Sequence, residues 1–234
     1  MERSPEYFCT ILNELRKDNP ELGKGFLLRE TAGDPLDVLI LTLLSQATND
    51  RNSGRAFRRL KQRFPTWDRV LEASEAEIEE AIRVGGLARQ KAARIKGILR
   101  AVLERTGSFS LEFLRDWDTD AVWEYLTSLE GVGPKTAACV ALFSLGRPAF
   151  PVDTHILRVS KRLGLVDEKA SAEKAQEHLQ KTIPPEMSMD LHLGLIEHGR
   201  RTCRPSKPGC HECRLRTACR RPAVEDFTPP AENS

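Results

Sequence analysis

The chain has 234 residues, of which 40% are hydrophobic and 30% are charged, which suffices for one large domain or two small ones. The longest apolar stretch, residues 36–44, is interrupted by Asp37 and Thr42 and is too short to span a membrane. The N-terminus lacks the apolar core of a secretory signal. These features predict a cytoplasmic protein without a membrane partner.

The net charge of +2 does not by itself indicate a nucleic-acid partner. The charge is unevenly distributed, because residues 199–221 contain seven Arg and one Lys against a single acid, Glu212. A local basic patch can bind phosphates even when the overall charge is near zero. Composition alone leaves a solvated surface and a DNA-binding surface equally open.

In chain order, the sequence predicts an all-α protein, since period-2 alternation and β-branched residues are scarce. Asp34-Pro35 predicts a helix start, followed by a central, buried helix through Leu44. Ser74 and Glu77 form a capping-box pattern. Further helices are predicted at about 90–105, 120–129, 134–145, 153–163, 171–181 and 187–200. Residues 223–234, which are rich in Pro and acids, are predicted to be disordered.

A glycine-rich turn separates two predicted helices in the segment LEGVGPKTA, residues 129–137. Gly131, Val132 and Gly133 let the backbone approach another chain, and the N–H groups that start the next helix can bind a phosphate. This pattern is typical of a helix–hairpin–helix, which contacts the DNA backbone without reading its sequence. The following Lys-Thr-Ala, which includes Thr136, favours DNA binding over an ordinary turn between helices.

Two ionisable residues are candidates for catalysis. Lys135 lies in the first turn of a predicted helix, where the macrodipole and burial favour the neutral, nucleophilic amine. Taken alone, it is better explained as a phosphate contact. Asp153, in VDTHILRV, is a good N-cap, and its carboxylate could also accept a proton or stabilise a sugar cation. His155 is expected to be a structural hydrogen-bonding residue rather than a catalyst.

The cysteines are clustered, since four of the six lie between positions 203 and 219: Cys203, Cys210, Cys213 and Cys219. In an intracellular protein such a cluster indicates a metal site rather than disulfides. Structural zinc sites usually contain two close cysteine pairs, whereas only Cys210 and Cys213 form one here. The spacing therefore leaves the metal open, with a preference for iron–sulfur over zinc.

Together these motifs resemble the endonuclease III family of helix–hairpin–helix DNA glycosylases over about residues 10–221. The matching blocks are LSQAT at 44–48, Gly86-Leu87, residues 129–137 with 152–159, and the cysteine spacing. The resemblance implies a six-helix domain at 34–148 that carries the hairpin. It also implies an iron–sulfur cluster domain formed by 1–33 and 149–222, with a DNA groove between the two, and a [4Fe–4S] cluster on the four cysteines.

The resemblance also implies a function, namely base-excision repair by a monomeric, bifunctional DNA glycosylase. The partner is double-stranded DNA that contains damaged bases or abasic sites. Lys135 would attack the sugar C1′ of an oxidised pyrimidine nucleotide, Asp153 would stabilise the developing positive charge, and the resulting Schiff base would promote AP-lyase strand nicking. Gln46 would fill the gap left by the extruded nucleotide and Leu87 would wedge beside it. The expected DNA-binding residues are Gln46, Leu87, Gly131, Val132, Gly133, Thr136 and His155.

Two departures from the family pattern leave the substrate range open. Glu130 places a negative charge beside the expected phosphate, and the spacing around Gln46 differs by one residue from that of a close relative. A glycosylase for oxidised guanine also uses a lysine and is an alternative. Lys135 disfavours adenine and thymine-mismatch glycosylases, and an end at Ser234 without a further large domain disfavours the first of these. The presence of Lys135 and Asp153 together disfavours a non-catalytic DNA-binding cluster protein.

Overall fold

A computed structural model describes residues 4–19, 22 and 25–220. Within these residues the secondary structure is helical and includes no strand, which confirms the predicted all-α class. The predicted disorder of 223–234 lies outside the described residues. The α-helices are α1 (Pro5–Asp18), α2 (Phe26–Thr31), α3 (Pro35–Leu44), α4 (Asp50–Arg63), α5 (Trp67–Glu72), α6 (Glu75–Ile82), α7 (Ala88–Thr106), α8 (Thr119–Ser128), α9 (Pro134–Phe143), α10 (Thr154–Leu163), α11 (Ala172–Thr182) and α12 (Ser188–Arg201).

The chain divides into two compact units, one formed by Met1–Gly23 with Val152–Ser234 and the other by Lys24–Pro151. These bounds differ from the predicted 1–33 with 149–222 and 34–148, mainly because α2 belongs to the second unit. Its Glu30 carboxylate pairs with Arg58 of α4 at 2.6 Å. A Cβ added to Gly54 would lie 3.0 Å from the ring of Phe26, so α2 and α4 pack closely.

The unit 24–151 is built around α3, which is apolar on all sides. Asp34 caps this helix, since its side chain accepts a hydrogen bond of 2.8 Å from the Asp37 N–H, and Pro35 occupies the first helical position. Every residue from 38 to 44 is buried. A helix that is hydrophobic all round belongs in the centre of its domain, and the predicted central helix is confirmed.

Local signals also fix the helices that lead to the Leu87 region. The capping box before α6 is confirmed: Ser74 Oγ accepts from the Glu77 N–H at 3.3 Å, and Glu77 Oε2 accepts from the Ser74 N–H at 2.9 Å. A 3-10 turn at Arg83–Gly85 follows, and α7 begins directly after Leu87. The chain therefore reverses direction within a few residues between α6 and α7.

The other unit contains α1, α10, α11 and α12. Phe8 and Leu15 of α1 are buried, and Leu15 packs against α12, where a Cβ at Gly194 would lie 2.9 Å from Leu15 Cδ1. The Tyr7 hydroxyl donates to the Ala218 carbonyl oxygen at 2.9 Å, which fastens the cysteine-rich segment to α1. None of the helices within the described residues is long and apolar enough to cross a membrane.

Candidate functional site

The predicted hairpin lies between α8 and α9. The turn closes when the Val132 N–H donates to the Leu129 carbonyl oxygen at 3.0 Å, and Gly131 has a φ of +80°, which favours glycine. Gly133 is the exposed N-cap of α9, and Pro134 occupies its first helical position. Within the described residues, the Gly131 and Gly133 N–H groups donate to no acceptor. The first N–H groups of a helix have no intrahelical partner and attract anions.

Gln46 is held against this hairpin from the end of α3. Its Nε2 donates to the Gly131 carbonyl oxygen at 3.1 Å, and its Oε1 accepts from Arg94 Nη1 at 3.3 Å. Arg94 also covers Gly131 so closely that an added Cβ there would lie 2.6 Å from Arg94 Cδ. Sequence reasoning missed Arg94, because one arginine on a charged helix gives no signal of its contacts. The structure thus joins Gln46 to the hairpin.

Leu87 lies at the N-cap of α7, and both its exposure and its backbone conformation are unusual for a leucine. It is 53% exposed and is the only large hydrophobic residue that is exposed among the described residues. Its backbone is left-handed, with φ 50° and ψ 33°, a conformation that non-glycine residues rarely adopt. Ala47, next to Gln46, also has a positive φ of 54°. Strained backbone of this kind concentrates at functional sites.

Two of the predicted DNA contacts do not present side chains at the surface. Val132 and Thr136 are each 4% exposed. The Thr136 N–H is also already bonded to the Gly133 carbonyl oxygen at 3.0 Å. The Thr136 side chain is therefore packed in the core, and its expected contact with DNA stays a prediction. At Val132, only the backbone of the turn remains near the surface.

Lys135 is the second residue of α9 and is half-buried. Within the described part of the chain, its ammonium makes no hydrogen bond and no ion pair. The amine thus lies two residues after the Gly133 N-cap without any interaction that would restrain it.

Asp153 belongs to the other unit and caps α10, as predicted. Its Oδ1 accepts a hydrogen bond of 2.7 Å from the Ile156 N–H. Oδ2 accepts none within the described residues, so one carboxylate oxygen is uncommitted. His155 is a structural hydrogen-bonding residue, also as predicted: its Nδ1 lies 3.2 Å from Arg158 Nη2. A cap that uses one oxygen leaves the other for chemistry.

The four clustered cysteines lie after α12, are all partly buried, and form no disulfide with one another. Burial raises the pKa of Cys213 to about 11, and the Cys203, Cys210 and Cys219 thiols raise it further by smaller amounts. Arg162 donates to Cys203 Sγ at 3.2 Å. No group of three or more His, Cys, Asp or Glu side chains in the described residues is arranged to hold a metal ion. The cofactor therefore stays a prediction.

The predicted basic patch at 199–221 is partly neutralised by acids outside that segment. Arg214 pairs with Asp18 of α1 at 2.6 Å, and Arg201 pairs with Glu197 at 2.9 Å. These contacts could not be read from the local charge count, because Asp18 is distant in sequence. The patch is less basic than its composition suggests.

The family model for the HhH-GPD superfamily of base excision DNA repair proteins matches residues 40–185. A candidate DNA glycosylase of Arabidopsis thaliana is 45% identical over 178 residues, which are 76% of this chain but only 61% of the plant protein. Endonuclease III of Thermotoga maritima is 36% identical over 199 residues, 85% of this chain and 89% of the relative. A trapped covalent intermediate of endonuclease III with DNA superposes with a TM-score of 0.77 and 32% identity, covering 93% of this chain and 96% of the other.

The helical fold, the hairpin and these matches define a base-excision DNA glycosylase. The chain belongs to the HhH-GPD superfamily, whose model covers more than half of its length. Within that superfamily it is of the endonuclease III type, since relatives of that name match along most of both chains.

Proposed function

We propose that this chain is a monomeric, bifunctional DNA glycosylase and AP lyase that removes oxidised pyrimidines from double-stranded DNA and nicks the strand. One observation carries the lyase assignment: the amine of Lys135, a half-buried residue, has no partner among the described residues, and Lys135 follows the hairpin N-cap by two positions. The likeness to a trapped covalent endonuclease III–DNA intermediate supports a covalent route. A free amine in such a place suits a nucleophile.

DNA binding begins at the hairpin. The N–H groups of Gly131 and Gly133 donate to no acceptor within the described residues and can donate to a phosphate oxygen of the DNA. Gln46 and Leu87 then act on the base stack, Gln46 as a plug for the gap and Leu87 as a wedge. The exposure of Leu87 supports this role, because an apolar side chain can insert between base steps. Extrusion costs a few kcal/mol of stacking, which the inserted residues offset.

The chemistry uses one nucleophile and one carboxylate. The neutral Lys135 amine attacks C1′, the glycosidic bond breaks, and the base leaves with the bonding electrons and takes up a proton. Asp153 stabilises the positive charge that develops on the sugar. The C1′–O4′ bond of the Lys135 adduct then breaks, O4′ takes up a proton to become a hydroxyl, and C1′ forms a Schiff base with the amine, which acidifies the C2′ proton. Loss of that proton expels the 3′ phosphate and breaks the strand.

We infer that Cys203, Cys210, Cys213 and Cys219 hold a [4Fe–4S] cluster. Cys203 Sγ and Cys219 Sγ both contact Arg162, and the four partly buried cysteines would form the ligand set of such a cluster. A cluster of this kind would contain several irons, so the four thiols would not need to converge on a single ion. The Arg162 guanidinium, which donates to Cys203 Sγ, suits a thiolate. The cluster would order the cysteine segment and supplies no step of the reaction.

Metal analysis of natively purified protein tests this cofactor. We expect about four irons per chain, and loss of iron in Cys213→Ser. Cys139→Ser, at a buried cysteine of α9 outside the cluster, is the matched control and should keep its iron. Stoichiometric zinc without iron would contradict the assignment.

A panel of duplexes tests the proposed substrate. Each carries one lesion: an oxidised pyrimidine, an oxidised guanine, a mismatched thymine, or none. We expect base release and strand nicking to be fastest on the oxidised pyrimidine and absent on undamaged DNA. Preference for oxidised guanine would overturn the substrate class and leave the lyase intact. No activity on any duplex would overturn the proposed function.

A further inference from the structure

Lys91 is the only lysine or arginine that is fully buried among the described residues. Its side chain is 1% exposed on α7, four positions after Leu87. Burial lowers the pKa of Lys91 to about 8. No carboxylate in the described residues forms an ion pair with it. Burying a charged amine without an acid is costly, so its retention calls for a specific role.

The ammonium bridges the ends of two helical segments. Nζ donates to the Leu44 carbonyl oxygen at 2.7 Å and to the Gly85 carbonyl oxygen at 2.8 Å. Leu44 ends α3, and Gly85 ends the 3-10 turn before α7. The last carbonyls of a helix have no intrahelical partner and carry partial negative charge. One buried cation therefore caps both segments at once.

These two carbonyls lie just before the two residues that the proposed function assigns to the DNA gap. Gln46 follows Leu44 by two positions, and Leu87 follows Gly85 by two positions. We name residues 45–48 the Gln46 turn and residues 85–88 the Leu87 turn. The two turns are far apart in sequence. Lys91 connects them, because its ammonium bonds to the Leu44 carbonyl oxygen just before the Gln46 turn and to the Gly85 carbonyl oxygen at the start of the Leu87 turn.

We propose that Lys91 is a positioning residue that holds the Gln46 turn and the Leu87 turn at a fixed spacing, so that plug and wedge enter the DNA as one unit. The inference rests on the proposed function, since it takes Gln46 and Leu87 as the inserted residues. An extruded nucleotide leaves a single gap, and both residues must reach it together. A displacement of about 1 Å can cost about 100-fold in rate.

The glycine at position 85 fits this arrangement. A Cβ there would lie 3.2 Å from Ala56 Cβ and 3.9 Å from the Leu44 carbonyl oxygen. A larger residue would push the Leu87 turn away from Ala56 of α4. Gly85 therefore permits the close approach that lets one ammonium reach both carbonyls.

Lys91→Met tests the inference, because Met keeps a similar apolar stem and removes the donor. Lys96→Met is the matched control: Lys96 lies on the same helix and donates to the backbone oxygen of Ala73 alone, away from both turns. Base release is measured under single-turnover, saturating conditions on an oxidised pyrimidine in a paired duplex and in an unpaired bulge. Only the paired lesion requires full extrusion.

We expect Lys91→Met to slow release about tenfold or more on the paired lesion and to match wild type on the bulge. Lys96→Met should match wild type on both. The positioning role would be overturned if Lys91→Met and wild type released the base from the paired lesion at equal rates. It would also be overturned if a folded Lys91→Met variant were slowed equally on the paired lesion and on the bulge. If wild type releases no base from either substrate, the proposed function fails, and the next experiment still tests Lys91.

Hydrogen exchange in the wild-type protein requires no variant, so it tests the inference even if Lys91→Met fails to fold. The Gln46, Thr48 and Gly86 N–H groups donate backbone hydrogen bonds of 3.2, 3.3 and 3.2 Å, so their exchange reports opening of each turn. We expect all three to exchange with one common opening free energy. Separate opening free energies for the Gln46 turn and the Leu87 turn would overturn the inference.

Discussion

The left-handed backbone of Leu87 makes a prediction that separates stability from function. At φ 50° and ψ 33°, a non-glycine residue bears a cost of roughly 1–2 kcal/mol. Glycine avoids that cost but loses about 0.5–1 kcal/mol more conformational freedom on folding. Leu87→Gly should therefore be more stable than Leu87→Ala by about 0.5–1 kcal/mol. For a chain of this length the difference in melting temperature is about 1–4 °C.

Activity should fall equally in both variants, because each lacks the wedge. If Leu87 offsets about 1.4 kcal/mol of the stacking cost, its loss slows extrusion about tenfold. The assay pairs thermal unfolding with single-turnover base release from a paired oxidised pyrimidine. The Gly variant should thus be the more stable of the two and no more active.

Ala32 provides the control for this comparison. It is exposed, ends α2 in the same unit, and has a φ of 50°. Ala32→Gly should raise the melting temperature by a similar amount and leave base release unchanged. Two results would refute the reasoning: wild-type extrusion by Leu87→Gly, or a Leu87→Gly that is less stable than Leu87→Ala.

Asp153→Asn should keep the helix cap and the wild-type melting temperature, yet its activity should fall about 100-fold. Asp153→Ala should lose the same activity and also about 1 kcal/mol of stability. A fully active Asn variant would show that Asp153 only caps α10. The affinity for DNA should fall as salt is added, and a plot of log K against log salt concentration should have a slope of about −0.9 for each neutralised phosphate. Binding titrations at several salt concentrations measure this slope, and an affinity that does not change with salt would contradict the prediction. Because the pKa of Lys91 is lowered to about 8, the unfolded chain binds more protons above that pH. Urea unfolding from pH 8 to 10 should show wild type gaining stability relative to Lys91→Met, and a constant difference would speak against a depressed pKa.

Features that depend on neighbouring residues were predictable from the sequence. Asp34 and Asp153 both cap the helices that the sequence predicted for them. These caps were predictable because the capping side chain lies only three positions before the N–H group that it binds. The buried helix through Leu44 was predictable because its apolar residues cover every face. The structural role of His155 was predicted, and its contact to Arg158 lies within one helical turn.

Features that depend on distant contacts were not predictable. Lys91 stands in a charged helix where a lysine normally faces solvent, and only the fold shows that its amine lies between Leu44 and Gly85. Thr136 follows the hairpin in sequence, yet α9 turns its side chain into the core. The pairing of Arg214 with Asp18 joins positions at opposite ends of the chain. Each of these contacts is set by packing rather than by local sequence.

The central claim is that the amine of Lys135 becomes covalently attached to DNA. Borohydride added during the reaction on duplex DNA with one abasic site should reduce the Schiff base and give a stable cross-link, and peptide mapping should locate it on Lys135. Lys135→Gln should fold, bind the same DNA and give no cross-link, while Lys96→Met should cross-link like wild type. A cross-link that persists in Lys135→Gln, or none in the wild-type protein bound to this DNA, would contradict the account.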